Sequence, residues 1–403
     1  MLVKIGAGLL VVKSLAVTFG PEGVGLAGNF RQLITVLGVL GGAGIFNGIT
    51  LCVAQYHQQP EQLRPLLGTS SAIVLGSSVL FAMLLLLTAR PVSIALFADD
   101  RYQHVVRALA FIQAGIAYAN FLLAILKGYA DARNSALAAI IGSLLGVSAF
   151  YLCFRLGGYS GALAGLALLP ALALLPAWLI LTRRKLFPLS YLRPGWDRLH
   201  AYHLAKFTIM ALITSATLPV AYVMVRNRLA SHAGWGDVGL WQGVSTVSDA
   251  YLQFITASFT VYLLPALSRL KNKADLTAEV VRTLKLVLPA VATLSLTLWL
   301  LRDIVIGLLF SVEFTPMRSL FAWQLTGDVL KTGCYVFGYL VIARASLCFY
   351  LLTEVSQFLL LTSFSWWLIP VHGATGAVQA YMATYTVYFL LCSCLFVIYR
   401  RRL

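Results

Sequence analysis

The chain has 403 residues, of which 60% are hydrophobic and only 11% are charged, and its mean hydropathy is +0.85. Soluble domains are about one quarter charged, so this composition excludes an ordinary soluble protein and predicts a polytopic membrane protein. The net charge of +16 comes mostly from short loops between apolar runs. This pattern indicates the positive-inside bias of membrane proteins rather than a nucleic-acid-binding surface.

Apolar runs long enough to cross a bilayer, about 20 residues each, follow one another along the whole chain. Sixteen loop cations lie on the side of the C-terminus and eight on the opposite side, so the Lys and Arg bias predicts that both termini are cytoplasmic. An even number of spans agrees with this orientation. The runs predict twelve transmembrane helices: 1–19, 25–54, 69–88, 103–126, 135–154, 159–182, 205–225, 238–268, 280–300, 318–342, 347–369 and 374–398.

Two short sequence pairs recur between the halves of the chain. "GVGL" at 23–26 opens the second predicted helix and "DVGL" at 237–240 opens the eighth, while "GYSGA" at 158–162 corresponds to "GATGA" at 373–377. The offsets, 214 and 215 residues, are nearly equal. Because six helices return the chain to the same side of the membrane, the halves are predicted to be parallel repeats. The predicted fold class is all-α, with two six-helix bundles around a central cavity, which is typical of an alternating-access transporter.

The predicted bundles occupy residues 1–182 and 205–398. Between them, residues 183–204 are basic with interleaved Leu, Tyr and Trp196, which is typical of an interfacial segment on the cytoplasmic leaflet. We expect this linker to tether the bundles and to anchor them at the membrane surface. Residues 399–403 are predicted to form a short basic cytoplasmic tail.

The first two predicted helices carry three cations, Lys4, Lys13 and Arg31, and Asn29 and Gln32 flank the arginine. A charge inside a bilayer costs about 2.5–3.5 kcal/mol on insertion scales and by default faces the bundle interior or a water-filled cavity. Arginine matches phosphate oxygens in bidentate geometry, and lysine offers a compact point charge. These residues therefore predict a binding site for an anionic substrate such as a pyrophosphate. The alternative is that the cations pair with carboxylates of the second half.

The second half carries all three acids within predicted helices. Asp328 and Lys331 are three residues apart, so one interpretation is a self-neutralised pair; the other adds Lys331 to the substrate-binding cations and Asp328 to the ion-coupling acids. Asp249 and Glu354 have no cation near them in sequence, and are predicted to pair across helices or to stay protonated. Either state suits coupling to a proton or a cation, and the alternative is a role in packing.

Several kinds of chemistry have no candidate residues. All six histidines lie in predicted loops or at helix ends, and the six cysteines fall within apolar segments without ligand spacing, so neither a metal site nor a disulfide framework is predicted. The sequence has no Walker-type Gly-Lys-Ser/Thr loop and no catalytic constellation that falls on one surface. We therefore predict a transporter without a cofactor, and not an enzyme.

Three stretches, at 19–48 ("FGPEGVGLAGNFRQLITVLGVLGGAGIFNG"), 249–270 ("DAYLQFITASFTVYLLPALSRL") and 321–346 ("FAWQLTGDVLKTGCYVFGYLVIARAS"), carry a family resemblance that extends over essentially the whole chain. They resemble the Wzx-type flippases of enterobacterial common antigen synthesis, in the multidrug/oligosaccharidyl-lipid/polysaccharide exporter superfamily. The resemblance implies a flippase of the bacterial inner membrane. The implied substrate is undecaprenyl-pyrophosphate carrying a trisaccharide of N-acetylglucosamine, N-acetylmannosaminuronate and acetamido-fucose, moved from the cytoplasmic to the periplasmic leaflet.

The same resemblance implies partners besides the lipid-linked oligosaccharide and membrane lipid, namely a periplasmic-side polymerase and a chain-length regulator. Family members start with a further stretch before "LVKIGAGLL" at 2–10, so the resemblance implies a longer first helix.

Two other functions compete with the flippase interpretation. A cation-coupled drug antiporter of the same superfamily needs an acidic cavity, whereas the first bundle is positive. A membrane-embedded glycan polymerase or ligase needs a large extracytoplasmic loop, and the predicted outer loops are short.

Overall fold

The structure, a computed structural model, describes residues 2–270, 272–343 and 347–402. Lys271, Arg344 and the side chains of the predicted basic tail, 399–403, lie outside the described part. The described residues form helices and turns without a strand. Their helices are α1 Leu2–Leu40, α2 Phe46–Tyr56, α3 Pro60–Leu87, α4 Ala89–Phe97, α5 Gln103–Gly128, α6 Ala132–Ala171, α7 Leu174–Arg184, α8 Arg198–Ala216, α9 Leu218–Ser258, α10 Leu264–Arg269, α11 Lys273–Leu300, α12 Arg302–Leu309, α13 Phe321–Ala343 and α14 Leu347–Arg402.

Four of these helices turn sharply at a glycine. The turns are at Gly20 (φ 62°, ψ −166°) in α1, Gly158 (φ 53°, ψ −133°) in α6, Gly234 (φ 85°, ψ 168°) in α9 and Gly373 (φ 54°, ψ −131°) in α14. A positive φ combined with such a ψ is open to glycine and strained for any residue with a Cβ. The chain therefore joins consecutive membrane-spanning helices at a single residue where a loop was predicted.

The lengths of the helical stretches agree with the predicted multi-pass fold. Within the described residues, seven stretches are long and apolar enough to cross a membrane, and Ala132–Arg184, Arg198–Arg269 and Phe349–Ile398 have 53, 72 and 50 residues. Since one crossing takes about 20 residues, each of these three holds at least two crossings. Large apolar side chains such as Leu87 and Leu156 are 80% and 81% exposed, which is typical of a lipid-facing surface. The prediction of an all-α membrane protein is confirmed.

The kink glycines confirm the predicted internal repeat. Gly20 and Gly234 stand three residues before "GVGL" and "DVGL", and Gly158 and Gly373 are the first residues of "GYSGA" and "GATGA". The two members of each pair also have similar backbone angles, most closely at Gly158 and Gly373. The repeat recognised in the sequence is therefore a repeat of the same bends.

The second glycine of "GYSGA" and "GATGA" has a different task from the first. A Cβ on Gly161 would overlap the carbonyl of Cys153, and a Cβ on Gly376 would overlap the carbonyl of Leu368. In both halves the helix that follows the kink packs against the last turn of the helix before it. The distance between their backbones leaves room for glycine, which has no Cβ. The shared pattern Gly-x-x-Gly thus combines a turn with a close approach.

The helices group into two compact units. The N-terminal unit comprises Leu2–Val11 and Asn29–Pro219, and the C-terminal unit comprises Val12–Gly28 and Val220–Leu403. The predicted domain bounds of 1–182, 183–204, 205–398 and 399–403 stay a prediction. The core of the N-terminal unit includes Ile45, Ile49, Phe121 and Ile125, and that of the C-terminal unit includes Phe259, Val280, Tyr381 and Tyr385.

The predicted second helix, 25–54, is interrupted at residues 41–45. Gly44 has φ 70°, and a Cβ on it would overlap that of Ala211 in α8, while a Cβ on Gly48 would lie 2.7 Å from the ring of Phe207. Glycines at this bend therefore let α2 pack closely on α8 within the N-terminal unit.

The predicted bounds of the seventh and eighth helices are wrong. The sequence predicted 205–225 and 238–268 with a loop between them, whereas α8 begins at Arg198 and α9 continues from Leu218 to Ser258 with its kink at Gly234. A π-helical turn, Phe259–Leu263, then joins α9 to α10. The physical reason for the error is that Arg226 and Arg228 were taken as loop residues, although the fold buries the first of them inside a helix.

Candidate substrate and coupling site

Three of the four cations predicted to bind substrate, Lys4, Lys13 and Arg31, lie on α1. Lys4 and Lys13 are exposed on its first part, and Arg31 and Gln32, after the kink, are half-buried. The backbone carbonyl of Arg31 accepts a hydrogen bond of 2.9 Å from the hydroxyl of Thr35, which leaves the helix intact around the charge. Each of the four side chains thus keeps some exposed surface, as contact with a substrate requires; Lys13 belongs to the C-terminal unit and the other three to the N-terminal unit.

Asn29 differs from its neighbours because it is fully buried. Its Nδ2 donates to the carbonyl oxygen of Leu96 at 2.9 Å, and the rings of the adjacent Phe30 and Phe97 lie 5.9 Å apart. The amide therefore fastens α1 to α4 inside the N-terminal unit. Its assignment to substrate binding stays a prediction, and packing is the role that the contacts support.

Asp328, on α13, has no exposed surface and is surrounded by hydroxyl donors. The hydroxyl of Tyr251 donates to its Oδ2 at 2.6 Å, and the hydroxyl of Tyr381 donates to its Oδ1 at 2.7 Å. Nε2 of Gln324, one helical turn earlier, is 3.5 Å from Oδ1. Each carboxylate oxygen thus has a tyrosine from a different helix, which is the pairing that a buried charge needs.

Lys331 lies one turn further along α13 and is 8% exposed. Its Nζ is 5.3 Å from the ring centroids of both Tyr381 and Tyr385 and 6.0 Å from that of Tyr335. These are distances at which a ring face attracts a cation. The structure records no ion pair between Asp328 and Lys331, which are both described side chains; hydroxyls bind the carboxylate and aromatic rings cover the ammonium.

The spacing of tyrosines on α14 explains why this centre forms. Tyr381 and Tyr385 are four residues apart, so they face the same side of the helix, and their ring centroids are 4.7 Å apart. Nε2 of Gln357 donates to the hydroxyl of Tyr385 at 2.5 Å. We call Asp328, Lys331 and these rings the tyrosine-ringed centre. The sequence identified its two charges, whereas its tyrosines went unnoticed because they lie on distant segments of the chain.

The other two predicted coupling acids occupy different surroundings. Asp249 is exposed on α9, next to the buried Ser248, and Glu354 is half-buried on α14. Within the part of the chain that the structure describes, no group of three or more His, Cys, Asp or Glu side chains is placed to hold a metal ion. The assignment of Asp249, Glu354 and Asp328 to ion coupling stays a prediction.

Arg226 is a buried cation that sequence reasoning missed. It is 6% exposed in α9, and its Nε and Nη2 donate to Oε1 of Gln242 at 3.0 and 2.7 Å. The rings of Tyr222 and Trp241 lie 5.9 and 5.5 Å from its guanidinium carbon, and a Cβ on Gly28 would lie 3.0 Å from Nε. Nothing in the local sequence pattern shows that Gln242 faces an arginine sixteen residues earlier.

Two carboxylates outside the membrane-spanning segments are stabilised by helix-capping contacts. The side-chain amide of Asn134 donates to Asp131 at 2.7 Å and holds the pKa of that carboxyl below its ordinary value. The pKa of Asp197 is lowered in the same direction, first by the backbone N–H of His200, 2.9 Å from Oδ1, and then by the His200 ring. Both acids are therefore ionised at neutral pH and fix the starts of α6 and α8.

Solved structures with a similar fold belong to transporters. The chain matches an inward-facing conformation of a multidrug resistance MATE family transporter of the MOP superfamily with a TM-score of 0.85 and 14% identity, covering 99% of this chain and 95% of that one. An outward-facing conformation of such a transporter matches with a TM-score of 0.74 and 16% identity, covering 100% and 94%. At these identities the likeness shows the fold alone.

Sequence relatives are much closer. Proteins named lipid III flippase from Escherichia coli (strain K12) and Shigella flexneri are each 65% identical to this chain over 401 residues, covering 100% of it and 96% of the relative. Residues 1–271 also match the model of the family described as polysaccharide biosynthesis protein. On both grounds the chain belongs to the polysaccharide biosynthesis protein family.

Proposed function

We propose that this chain is a lipid III flippase. It moves an undecaprenyl-pyrophosphate-linked trisaccharide from the cytoplasmic to the periplasmic leaflet by alternating access, for assembly of enterobacterial common antigen. The observation that carries the proposal is 65% identity over the whole chain to two relatives named for this activity. The protein is accordingly a transporter and not an enzyme.

In the proposed mechanism, cations bind the headgroup. The pyrophosphate and the uronate of the substrate are anionic, and the exposed Lys4 and Lys13 and the half-buried Arg31 offer donors of the opposite charge. The half-buried Gln32 offers a neutral amide donor. Lys331 adds a cation whose position is set by the tyrosine rings. The undecaprenyl tail stays in the bilayer, because its transfer into water would cost about 0.8 kcal/mol for each CH₂ group.

Coupling is proposed to occur at Asp328. As a carboxylate it accepts a hydroxyl on each oxygen; once protonated, its own O–H needs an acceptor, so one of the two tyrosine contacts has to rearrange. Tyr251 belongs to α9 and Tyr381 to α14. Binding of a proton or a cation at this carboxylate therefore alters how α9 and α14 are held to α13, which is the kind of local change that biases a two-state transporter. Asp249 and Glu354 are secondary candidates for the same role.

The surroundings of the protein follow from the proposed reaction. Its location is the bacterial inner membrane, with both termini in the cytoplasm, as the distribution of loop cations predicts. The product, a lipid-linked oligosaccharide on the periplasmic leaflet, is the substrate of a polymerase. A polymerase and a chain-length regulator are therefore the proposed partners.

The test is transport by the purified full-length chain in lipid vesicles. Vesicles loaded with lipid-linked trisaccharide are treated with a membrane-impermeant reagent that modifies the glycan, and the accessible fraction is followed with and without an imposed proton gradient. We expect protein-dependent exchange between leaflets that a gradient accelerates. The same vesicles given an organic cation test the drug antiporter: cation uptake without exchange of the lipid-linked trisaccharide would contradict the proposed function.

A further inference from the structure

The segment that joins α7 to α8 is held firmly against the N-terminal unit. Its first part is fixed by Phe187, which is 8% exposed and whose ring stacks on Tyr129 at 6.3 Å and on Tyr191 at 6.4 Å. The hydroxyl of Tyr129 also donates to the carbonyl of Leu186 at 3.3 Å. The connection is therefore a packed part of the fold.

Its second part is fixed by backbone contacts. The backbone N–H of Gly195 donates to the carbonyl of Gly68 at 3.2 Å, and that of Asp197 donates to Oγ1 of the fully buried Thr69 at 2.9 Å. Asp197 then caps α8 through the backbone N–H of His200. With both ends held, the backbone that carries the outward side chains has a defined position.

Those outward side chains are apolar and aromatic. Trp196, Leu199 and Tyr202 are 72%, 61% and 66% exposed. Leu199 and Tyr202 are three residues apart and share a face at the start of α8, and Trp196 lies just before that helix. Tryptophan and tyrosine are the side chains that concentrate at the membrane–water boundary. Because the segment directly joins two helices of membrane-spanning stretches, this face lies at the level of that boundary.

Exposed cations accompany the apolar side chains. Arg183, Lys185, Arg193 and Arg198 are exposed, and the structure records no ion pair for them within its described residues. By contrast, the neighbouring Arg184 lies 3.6 Å from Asp131. Between 183 and 206 the sequence has a single acid, Asp197, whose Oδ1 is engaged at the helix cap. The net charge of the face is thus positive.

We propose that this face, formed by Arg183, Lys185, Arg193, Trp196, Arg198 and Tyr202 and here called the linker face, binds anionic phospholipid headgroups. The cations attract phosphate groups, and the aromatic side chains insert between the lipids, so one lipid satisfies both kinds of group. A basic residue near an anionic membrane surface contributes about fivefold in affinity. Because the backbone is already ordered, little conformational entropy is lost on binding.

The experiment is native mass spectrometry of the purified full-length chain, titrated with phosphatidylglycerol and with phosphatidylcholine of the same acyl chains. We expect at least tenfold tighter binding of phosphatidylglycerol, and a smaller preference at high salt because exposed charges are screened. The variant Arg183→Gln/Lys185→Gln/Arg193→Gln/Arg198→Gln should bind both lipids about equally. The matched control, Lys127→Gln/Arg133→Gln/Arg282→Gln/Lys285→Gln, removes the same number of exposed cations elsewhere and should keep the preference.

Two results would overturn the proposal. The first is that the natural chain binds the two lipids equally, or prefers phosphatidylglycerol to an extent that salt leaves unchanged. This measurement uses the natural chain alone, so it does not depend on whether a variant folds. The second is that the quadruple variant of the linker face elutes as a monodisperse protein and still prefers phosphatidylglycerol. Neither measurement depends on transport, so the lipid site and the proposed flippase activity are tested separately.

Discussion

At the scale of single residues, the tyrosine-ringed centre shows which part of a site can be predicted from sequence. Asp328 and Lys331 were predictable as functional candidates because a charge in a helix of this hydropathy is costly. The hydroxyls that bind the carboxylate belong to Tyr251 and Tyr381, far away along the chain. Helical periodicity identifies the faces of one helix, but it does not show which faces of different helices meet, so the tyrosines could not be assigned.

Asp328→Asn is expected to uncouple transport from the ion gradient. The amide has nearly the same shape and its oxygen accepts one tyrosine hydroxyl, but it carries neither the charge nor the exchangeable proton of the carboxyl group. Exchange of the lipid-linked trisaccharide in vesicles should lose its acceleration by a proton gradient. Asp303→Asn, which alters an exposed ion pair with Arg318, is the control and should respond normally; a normal gradient response of Asp328→Asn would remove this acid from the coupling mechanism.

Arg31→Ala should lower the rate of leaflet exchange about tenfold or more. A hydrogen bond to a charged group contributes about 1.5–3 kcal/mol, and that contribution to headgroup binding would be lost. Arg31→Lys should restore part of the activity because the charge remains while the bidentate geometry does not. Arg133→Ala, at an exposed position, serves as the control. The rate is compared in vesicles with equal amounts of inserted protein, and equal rates for Arg31→Ala and the control would contradict a headgroup role.

Asp197 should make stability depend on pH at the acidic end. Its pKa is lowered in the folded state, so its contribution is fully present above the unfolded value of about 3.9 and is lost as the pH falls through the lower folded value. Thermal unfolding of the natural chain and of Asp197→Ala, measured from pH 3 to 7, should differ most at neutral pH and converge on acidification. A difference independent of pH would mean that the ionised carboxylate is not what stabilises the start of α8.

At the scale of helices, the sequence located the repeats but not their shape. The match between "GYSGA" and "GATGA" was evident in the sequence. A few identical residues, however, do not specify the backbone angles at those positions. The structure shows positive φ at Gly158 and Gly373. Predicted helix ends failed for the same reason: a kink at one glycine replaces a loop, so the residues on both sides stay helical.

Gly158→Ala and Gly373→Ala should each destabilise the protein by about 1–3 kcal/mol, the cost of holding an L-residue in such a conformation. Space is available for a Cβ at Gly158, so its effect isolates backbone strain from steric overlap. The control is Gly157→Ala, where a Cβ also meets nothing within 4 Å and φ is not positive; in a helix this change is neutral or stabilising. Denaturant unfolding of detergent-purified variants measures the difference, and equal stabilities of the two neighbouring variants would contradict the assigned strain.

At the scale of the whole molecule, composition alone was enough to predict the class of protein. Hydropathy, the number of apolar runs and the near-equal offsets of two motifs predicted a helical transporter with an internal repeat. The structure confirms the helical fold, and the relatives of 65% identity confirm the transporter class. What composition could not supply is which cations become buried, as Arg226 does through Gln242. Whether a cation is buried depends on contacts between helices, and the sequence of each helix taken alone does not reveal those contacts.

The complete transport reaction should respond to membrane potential. The proposed substrate carries several negative charges, and moving one charge across 100 mV changes the free energy by about 2.3 kcal/mol. An inside-negative potential should therefore accelerate outward exchange of the lipid-linked trisaccharide. The measurement uses potassium-loaded vesicles with valinomycin, and sodium-loaded vesicles as the control. Slower exchange at an inside-negative potential would mean that cations moving outward with the substrate outweigh its charge.

The kink glycines also constrain how the two halves can diverge over evolutionary time. Every amino-acid replacement of glycine introduces a Cβ, so every such replacement strains a bend like that at Gly158 or Gly373. Lipid-facing positions, in contrast, accept many apolar replacements. Two copies of an ancestral half that drift independently should lose their resemblance along the helices first and at the bends last, so short glycine-bearing matches are the expected remnant of an old duplication.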